Sequence, residues 1–304
     1  MTTRSLPYTP LDDAVGPPAN LPSAEDVLGR AASENFRVAS RILPAATRHH
    51  LLAFYGFARL VDQLGDDYDG DRVAALDWLE QETSRALIDP DRAGLHPLVA
   101  PAVASCRVVR ADPSALFDLI AANRQDQVVT SYDTFDDLAG YCRLSANPVG
   151  RLVLAAFDSV RPDRLRWSDS ICTGLQLAEH WQDVADDAAA ARVYLPAEDL
   201  ARFDVDTDQL RAGPPANGQL RALMAFEVAR ARRLLDEGAP LLGSLRGRAR
   251  WAVAGFWAGG HAALDAVAAR RFDPLAGSPR PVPARVAIHL VAALRRPTPN
   301  QEAA

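Results

Sequence analysis

The sequence predicts an all-α protein, and three features lead to that fold class. Apolar residues recur with helical spacing almost without interruption between residues 24 and 296. Alanine, leucine and arginine, which favour helices, dominate the composition, and runs of β-branched residues are few. No alternating strand pattern of useful length and no internal repeat is present. We therefore expect a helical bundle in which each helix buries one apolar stripe against its neighbours.

The N-terminal segment, residues 1–22, is expected to be a flexible arm. It contains five prolines among small polar residues, a composition that cannot build a packed element. Ser23, followed by Glu25 and Asp26, is typical of a helix start, because its hydroxyl and these acids suit free backbone N–H groups. We place a single helical domain at residues 23–304.

Nine segments of that domain follow the helical pattern, punctuated by glycine and proline. Asn147-Pro148 lies inside one of them, where a helix should kink or break. A connector rich in Gly, Pro and Ser, residues 274–283, precedes the last one. The expected helices cover residues 24–40, 46–68, 71–88, 113–130, 134–157, 168–187, 217–236, 249–270 and 283–296.

Composition excludes several functional classes. The chain has a net charge of −6 and no basic excess, which argues against a nucleic-acid partner. Its three cysteines have no metal-ligand spacing and form no disulfide framework. The N-terminus lacks the apolar core of a signal peptide, and the longest uncharged stretches are too short to span a membrane. We therefore expect a cytoplasmic protein.

The first candidate for chemistry is a polar stripe on the helix predicted at 46–68. Asp62 and Asp66 are four residues apart and therefore project from one helix face. Arg59 and Tyr55 precede Asp62 by three and seven residues, within an otherwise apolar segment. The spacing thus predicts titratable groups aligned along one side of a buried helix.

The helix predicted at 168–187 carries a second stripe of the same length. Asp183 and Asp187 are again four residues apart. Glu179 and Gln176 precede Asp183 by four and seven residues. The two helices therefore repeat one arrangement of acids and polar groups.

One pair of like charges on a helix is usually a solvated face, but two such stripes favour a shared cation. If the stripes face one cavity, their carboxylates stay ionised together only beside positive charge. Magnesium suits this role because it takes oxygen ligands, keeps waters and bridges carboxylates to substrate phosphates. The predicted chemistry is departure of a diphosphate whose growing charge the metal stabilises.

The stripes belong to a longer series of motifs, through which the chain resembles the squalene/phytoene synthases, an all-α family of head-to-head isoprenoid synthases. Within that family it is most similar to the hydroxysqualene synthase branch of bacterial hopanoid pathways. The order and spacing of the motifs together make the resemblance specific over most of the chain. The motifs are Ser33-Glu34-Asn35-Phe36, residues 55–62, Tyr141-Cys142-Arg143, and residues 145–150, 176–187 and 192–196.

The resemblance implies a single-domain isoprenoid synthase bundle with a central cavity, and an activity. The hydroxysqualene synthase branch takes presqualene diphosphate, expels diphosphate and lets water capture the cation. The implied cofactor is Mg²⁺, held by Asp62, Asp66, Asp183 and Asp187. The implied substrate-binding residues are Ser33, Phe36, Arg59, Gln176 and Arg192, and the implied catalytic residues are Tyr55, Arg59 and Tyr141.

Three positions depart from the wider family pattern. Gln63 stands where a second aspartate is common, Glu179 where asparagine is usual, and Gln182 where many members have arginine. Glu179 is either an additional metal ligand or a perturbation of the site. Loss of the arginine removes a bidentate phosphate clamp, which fits a substrate with a single diphosphate.

Alternative functions stay open at this point. A neighbouring reaction on the same scaffold is head-to-head prenyl transfer, which gives presqualene diphosphate, squalene or phytoene. A non-catalytic member of the fold is the alternative from another class. Use of NADPH stays open, as do contacts with other synthases of the pathway. The last helix joins Arg285, Arg295 and Arg296 to an apolar face, a pattern compatible with peripheral contact at the inner face of a membrane.

Overall fold

A computed structural model describes residues 16–30 and 43–297 of the chain. These residues contain no β-strand, and a single isolated parallel bridge pairs Ser131 with Val193. The predicted all-α fold class is therefore confirmed. The helices are α1 (Ala24–Arg30), α2 (Ala45–Asp62), α3 (Arg72–Ile88), α4 (Val99–Val109), α5 (Ser114–Gln125), α6 (Phe135–Ser145), α7 (Asn147–Ala156), α8 (Pro162–Ala189), α9 (Ala197–Arg202), α10 (Gly218–Glu237), α11 (Pro240–Ser244), α12 (Gly247–Ala269) and α13 (Pro283–Arg295).

The chain divides into two compact units. The first contains residues up to 128 together with 155–158, and the second contains residues 129–154 and those from 159 onward. The single domain at 23–304 stays a prediction. So does the arm at 1–22, most of which lies outside the described residues.

In the first unit, α2 packs against α4 and α5, and α3 packs against the same two helices. The apolar side of α2 supplies much of the buried surface, because Phe57, Leu60 and Val61 are completely inaccessible to solvent. A five-residue π-helical turn, Gln63–Asp67, continues α2 at its C-terminal end. The observed helix plus turn matches the predicted segment at 46–68.

In the second unit, α8 is the central helix and packs against α6, α10 and α12. Two glycines permit this packing. A Cβ atom at Gly174 would lie 2.9 Å from Cγ of Leu235, and one at Gly260 would lie 2.7 Å from Cδ2 of Leu175. Helix α13 packs on α12. No helix among the described residues is both long enough and apolar enough to cross a membrane.

The predicted break at Asn147-Pro148 is confirmed, because α6 ends at Ser145 and α7 begins at Asn147. Proline has no N–H to continue the bonding of α6, but it is tolerated in the first turn of a new helix. The predicted start near residue 134 is also confirmed. Thr134 and Asp137 form a capping box, in which the Asp137 N–H donates to the Thr134 hydroxyl over 3.2 Å.

Several predicted boundaries were wrong. Helix α4 was missed, although Pro101 lies in its first turn, where proline is compatible with helix. Helix α8 starts at Pro162 rather than 168, since Pro162 occupies its first turn. The predicted segment at 113–130 ends early, at residue 125. Only residues 24–30 of the segment predicted at 24–40 can be compared.

Candidate active site

In the first unit, the predicted site residues lie at the C-terminal end of α2. An Nη1 atom of Arg59 lies 3.9 Å from Oδ2 of Asp62, whose side chain is 49% exposed. Asp66 is exposed on the π-helical turn, and Tyr55 is partly buried on α2. The Nε atom of Arg59 is buried and has no hydrogen-bond partner within the described residues. Arg59 therefore retains donors for a further acceptor.

The π-helical turn that carries Asp66 packs against α5. The Gln127 amide donates hydrogen bonds to the carbonyl oxygens of Gly65, over 3.0 Å, and Asn123, over 2.9 Å. A Cβ atom at Gly65 would lie 2.2 Å from Oδ1 of Asn123, so the turn approaches α5 more closely than a larger residue allows. Such π-helical turns are rare and frequently occur at functional sites. These contacts fix the backbone at Gly65, directly before Asp66, so that Asp66 does not lie on a frayed helix end.

The burial of Gln63 accounts for one departure from the family pattern. Its side chain is only 9% exposed, and Oε1 has no hydrogen-bond partner in the part of the chain that the structure describes. A carboxylate at this position would lose its hydration, which is far more costly than burying a neutral amide. The amide therefore suits this environment better than an additional aspartate.

In the second unit, α8 places Glu179, Asp183 and Asp187 along its C-terminal half, and Arg192 follows the helix end. The Arg192 N–H donates to the carbonyl oxygen of Asp187 over 2.8 Å. Burial, together with the charges of Asp183, Glu179 and Asp186, raises the pKa of the Asp187 carboxyl to about 7, although Arg192 opposes the shift. The C-terminal end of α8 therefore carries more acidic groups than its neighbouring arginine neutralises.

This donor set fits magnesium. Its groups are carboxylate oxygens, and a bound cation would relieve the repulsion that raises the pKa of Asp187. Within residues 16–30 and 43–297, no three acidic, histidine or cysteine side chains are arranged to hold a metal by themselves. Magnesium is commonly bound through one or two carboxylates, with waters and substrate phosphates completing its shell.

Tyr141 lies in an aromatic cluster beside the same helix. Its side chain is 6% exposed, and its ring centroid lies 5.7 Å from Tyr132, 5.9 Å from Tyr194 and 6.2 Å from His180. The His180 ring stacks on Tyr194 with centroids 3.7 Å apart and planes inclined by 15°. The cluster presents several π faces in a buried setting, which is suited to stabilising positive charge.

Gln176 connects this cluster to the acidic stripe. Its Nε2 atom lies 3.3 Å from Nε2 of His180. Burial lowers the pKa of His180 to about 3, so the imidazole is neutral near pH 7. Because the Gln176 Nε2 group can only donate, Nε2 of His180 must accept, and the ring proton lies on Nδ1.

A small cavity lies beside these residues within the second unit. It is lined by His180, Trp181, Asp187, Arg192 and Tyr194, together with the apolar residues Val184, Val193, Leu195 and Leu210. The cavity joins the acidic stripe to the aromatic cluster.

Sequence reasoning missed Tyr132, Tyr194 and His180 as members of the site. Tyr194 lies within the motif at 192–196, and His180 lies three residues before Asp183, but neither position has a charge pattern that marks it. Only the backbone pairing of residues 130–133 with 193–198 brings Tyr132 to Tyr194. No signal in the sequence could have predicted that contact.

Two polar residues of α8, Gln182 and Asp186, bind the connector that precedes α13. The Gln182 amide donates to the carbonyl oxygen of Pro279, and the Ser278 hydroxyl donates to Oδ2 of Asp186 over 2.8 Å. Gln182, which stands in place of the family's arginine, therefore anchors the segment that leads to α13. The remaining predicted site residues, Ser33 and Phe36, lie outside the described residues.

Comparisons with known proteins agree with this architecture. A family model described as squalene/phytoene synthase matches residues 30–288. The chain is 34% identical over 220 residues to a hydroxysqualene synthase from Rhodopseudomonas palustris, covering 70% of this chain and 72% of the relative. It is 30% identical over 240 residues to a phytoene synthase from Arthrospira platensis, covering 73% and 75%.

Solved structures show the same fold. The squalene synthase HpnC from Alicyclobacillus acidocaldarius is 40% identical, with a TM-score of 0.74, over 81% of this chain and 92% of that one. A dehydrosqualene synthase in complex with ligand is 23% identical, with a TM-score of 0.78, over 89% and 94%. The second likeness is one of fold alone.

Proposed function

The chain belongs to the squalene/phytoene synthase family, and we propose that it is a magnesium-dependent hydroxysqualene synthase. In the proposed reaction, presqualene diphosphate loses diphosphate and water captures the resulting cation. The structural observation that carries the proposal is the carboxylate-rich end of α8 beside Arg192, where burial and neighbouring acids raise the pKa of Asp187 to about 7. The similarity to hydroxysqualene synthases supports the choice of reaction within the family.

We assign the magnesium ligands to four aspartates, Asp62, Asp66, Asp183 and Asp187, with Glu179 as an additional candidate. Bound magnesium supplies positive charge that stabilises a departing diphosphate. On this proposal, the Arg59 and Arg192 side chains donate hydrogen bonds to the diphosphate oxygens, because guanidinium groups match phosphate geometry. The unused Nε donor of Arg59 supports that role.

We assign protection of the cation to the aromatic cluster. The faces of Tyr141, Tyr132 and Tyr194 carry negative electrostatic potential and would stabilise a cation without bonding to it. Tyr55 is proposed to act in catalysis, and Gln176, Ser33 and Phe36 are proposed to contact substrate. A site of this kind must exclude bulk water, because an exposed cation is quenched indiscriminately.

A second candidate function is head-to-head condensation of two prenyl diphosphates. The relatives include phytoene synthases at 30–32% identity, which favours this alternative. Glutamine instead of arginine at position 182 argues against this condensation, because a second diphosphate needs additional cationic partners. The substrate experiment below separates the two reactions.

We also propose a location and partners for the enzyme. It would act in the cytoplasm, at the inner face of a membrane from which a lipid-like diphosphate is drawn. The synthase that supplies presqualene diphosphate is the expected functional partner.

The decisive experiment incubates the full-length protein with presqualene diphosphate and magnesium, without NADPH, and identifies the extracted products by mass. We expect hydroxysqualene, and we expect chelation of magnesium to abolish it. Asp183→Asn should lower the rate by at least about a hundredfold, the scale of removing an electrostatic contact to a developing charge.

Asp186→Asn is the matched control. Asp186 lies on the same helix but bonds to Ser278, and its charge contributes least to the raised pKa of Asp187, so its substitution should change the rate less than about threefold. Squalene or phytoene formed from farnesyl or geranylgeranyl diphosphate, with no turnover of presqualene diphosphate, would establish the condensation instead. No product from any of the three would favour a non-catalytic protein.

A further inference from the structure

The outer face of α13 carries large apolar side chains in contact with solvent. Ile288 is 58% exposed and Val291 is 47% exposed, and Val282, just before the helix, is 56% exposed. The opposite face packs on α12 and contains Ala293, which is completely buried. Ile288 and Val291 are therefore exposed on one side of a helix whose other side is docked, and Val282 is exposed directly before that helix. Clustered apolar exposure of this kind usually marks an interaction surface.

Exposed arginines flank this apolar surface. Residues 280–297 contain four arginines and no acidic residue, although the chain as a whole has a net charge of −6. Residues 245–252, at the start of α12, contain three arginines and Trp251, again without an acid. The Arg250 guanidinium donates to the carbonyl oxygens of Leu294, over 3.0 Å, and Arg296, over 2.6 Å. That contact brings the two basic segments together at one end of the α12–α13 pair.

Acidic neighbours neutralise only part of this charge. Arg296 pairs with Asp236, and Arg285 lies 4.0 Å from Asp265. By contrast, the following arginines are exposed and form no ion pair within residues 16–30 and 43–297: Arg246, Arg248, Arg280 and Arg295. Trp251, which is 55% exposed, lies between these charges in the sequence and next to Arg250. Tryptophan and arginine side chains both favour the headgroup region of a bilayer.

We propose that this surface binds the plane of a bilayer that contains anionic phospholipid. We call it the C-terminal face and define it by Trp251, Val282, Ile288, Val291 and the arginines 246, 248, 280 and 295. The apolar side chains would enter the boundary between headgroups and acyl chains, and the arginines would contact lipid phosphates. Nothing in this arrangement crosses the bilayer.

The positive charge of the C-terminal face favours an anionic bilayer, rather than a second copy of the chain, as its binding partner. Two C-terminal faces placed against each other would oppose eight arginines without an acid among the defining residues. Like charges placed opposite one another across an interface disfavour association. An anionic membrane surface instead complements the local positive charge, although the whole protein is acidic and would be repelled elsewhere. Binding of the C-terminal face to a bilayer does not require the proposed reaction, and vesicle binding can be measured without substrate.

The test is flotation of the full-length protein with two sets of extruded vesicles, one of phosphatidylcholine alone and one with about a third phosphatidylglycerol. We expect binding to the anionic vesicles to be at least about tenfold tighter, and to weaken when the salt concentration rises to 0.5 M. Ile288→Gln/Val291→Gln and Arg248→Gln/Arg295→Gln should each weaken binding, the second pair by about fivefold for each arginine.

Two matched controls use residues outside the C-terminal face. Val128→Gln removes an apolar side chain that is 77% exposed, and Arg233→Gln removes an exposed arginine of α10. Both should bind vesicles as the unsubstituted protein does. Equal binding to both vesicle types, or unchanged binding by the two face variants, would overturn the proposal. A dimer in light scattering that these variants abolish, without vesicle binding, would assign the face to a second copy and also overturn it.

Discussion

At the scale of single residues, Glu227 is completely buried and shares the Arg230 guanidinium with a second carboxyl group, that of Asp199. Nη1 of Arg230 donates to Oε1 of Glu227 over 2.9 Å and to Oδ2 of Asp199 over 2.6 Å. Burial, more than the neighbouring Asp199, raises the pKa of Glu227 to about 8, although Arg230 opposes the shift. Near pH 7 the Glu227 carboxyl is therefore mostly protonated, and the cluster carries less negative charge than its formal composition suggests.

We predict that Glu227→Gln flattens the dependence of stability on pH. The folded-state pKa lies above the unfolded value of 4.5, so the stabilisation is complete below about pH 4.5 and is lost as pH rises towards 8. The free energy of unfolding should fall over this range with a slope contribution of at most about 1.4 kcal/mol per pH unit. Glutamine, which stays neutral, should remove that contribution.

Urea unfolding at several pH values between 5 and 8 measures this difference. Exposed Glu237, on the same helix, supplies the control, and Glu237→Gln should leave the slope unchanged. Parallel curves for Glu227→Gln and the unsubstituted protein would contradict the prediction.

His180 is the second residue whose surroundings define its role. Its ring stacks on Tyr194, and its Nε2 atom accepts from Gln176. We predict that His180→Phe preserves the stacking but removes the acceptor. The rate of product formation should fall about fivefold, the worth of roughly 1 kcal/mol for one hydrogen bond, while stability changes little.

Steady-state kinetics with the proposed substrate, read together with urea unfolding, tests this assignment. Gln176→Ala in the His180→Phe background should add little further loss, because the two residues act together. Additive losses would show that Gln176 works without His180.

At the scale of elements, α12 approaches its neighbours through one of two adjacent glycines. A Cβ atom at Gly260 would lie 2.7 Å from Leu175 and 3.2 Å from Leu235, whereas one at Gly259 would meet no atom within 4 Å. Of these two glycines, only Gly260 is therefore required for close helix packing. The two positions differ by 100° around the helix, so only one of them can face α8 and α10.

We predict opposite effects on stability for alanine at these two positions. Gly260→Ala should destabilise the protein by about 1–3 kcal/mol, because the added methyl group crowds a packed core. Gly259→Ala should stabilise it by about 0.4–1 kcal/mol, because alanine restricts the unfolded chain and fits a helix. Thermal and urea unfolding of the two variants provide the comparison, and equal signs for both would contradict the packing described for α12.

At the scale of the whole molecule, the carboxylates suggest how metal and diphosphate bind. No described group of three potential ligands can hold a metal by itself, yet the α8 end gathers negative charge. A metal ion and a diphosphate should therefore bind together far better than either does alone, since each supplies the charge that the other needs.

We predict that magnesium and inorganic diphosphate raise the melting temperature only in combination. Ligand at a hundred times its Kd stabilises by about 2.7 kcal/mol, which corresponds to an increase of about 4 °C for a chain of this size. Differential scanning fluorimetry measures the shift. Asp183→Asn should abolish it and Asp186→Asn should retain it, whereas a full shift with diphosphate alone would refute metal-linked binding.

The sequence by itself determined the all-α class, most of the long helices, the break at Asn147 and the four-residue spacing of the acids Asp62 and Asp66 and of Asp183 and Asp187. These features follow from local periodicity, proline geometry and the four-residue spacing of side chains on a helix. The tertiary structure decided the features that depend on distant neighbours: the raised pKa of Asp187, the neutral state of His180, and the stacking of that ring on Tyr194. It also decided that Gln182 anchors the connector and that the outer face of α13 stays exposed. Burial and electrostatic environment arise from chain segments that meet only on folding, so spacing in the sequence could not predict them.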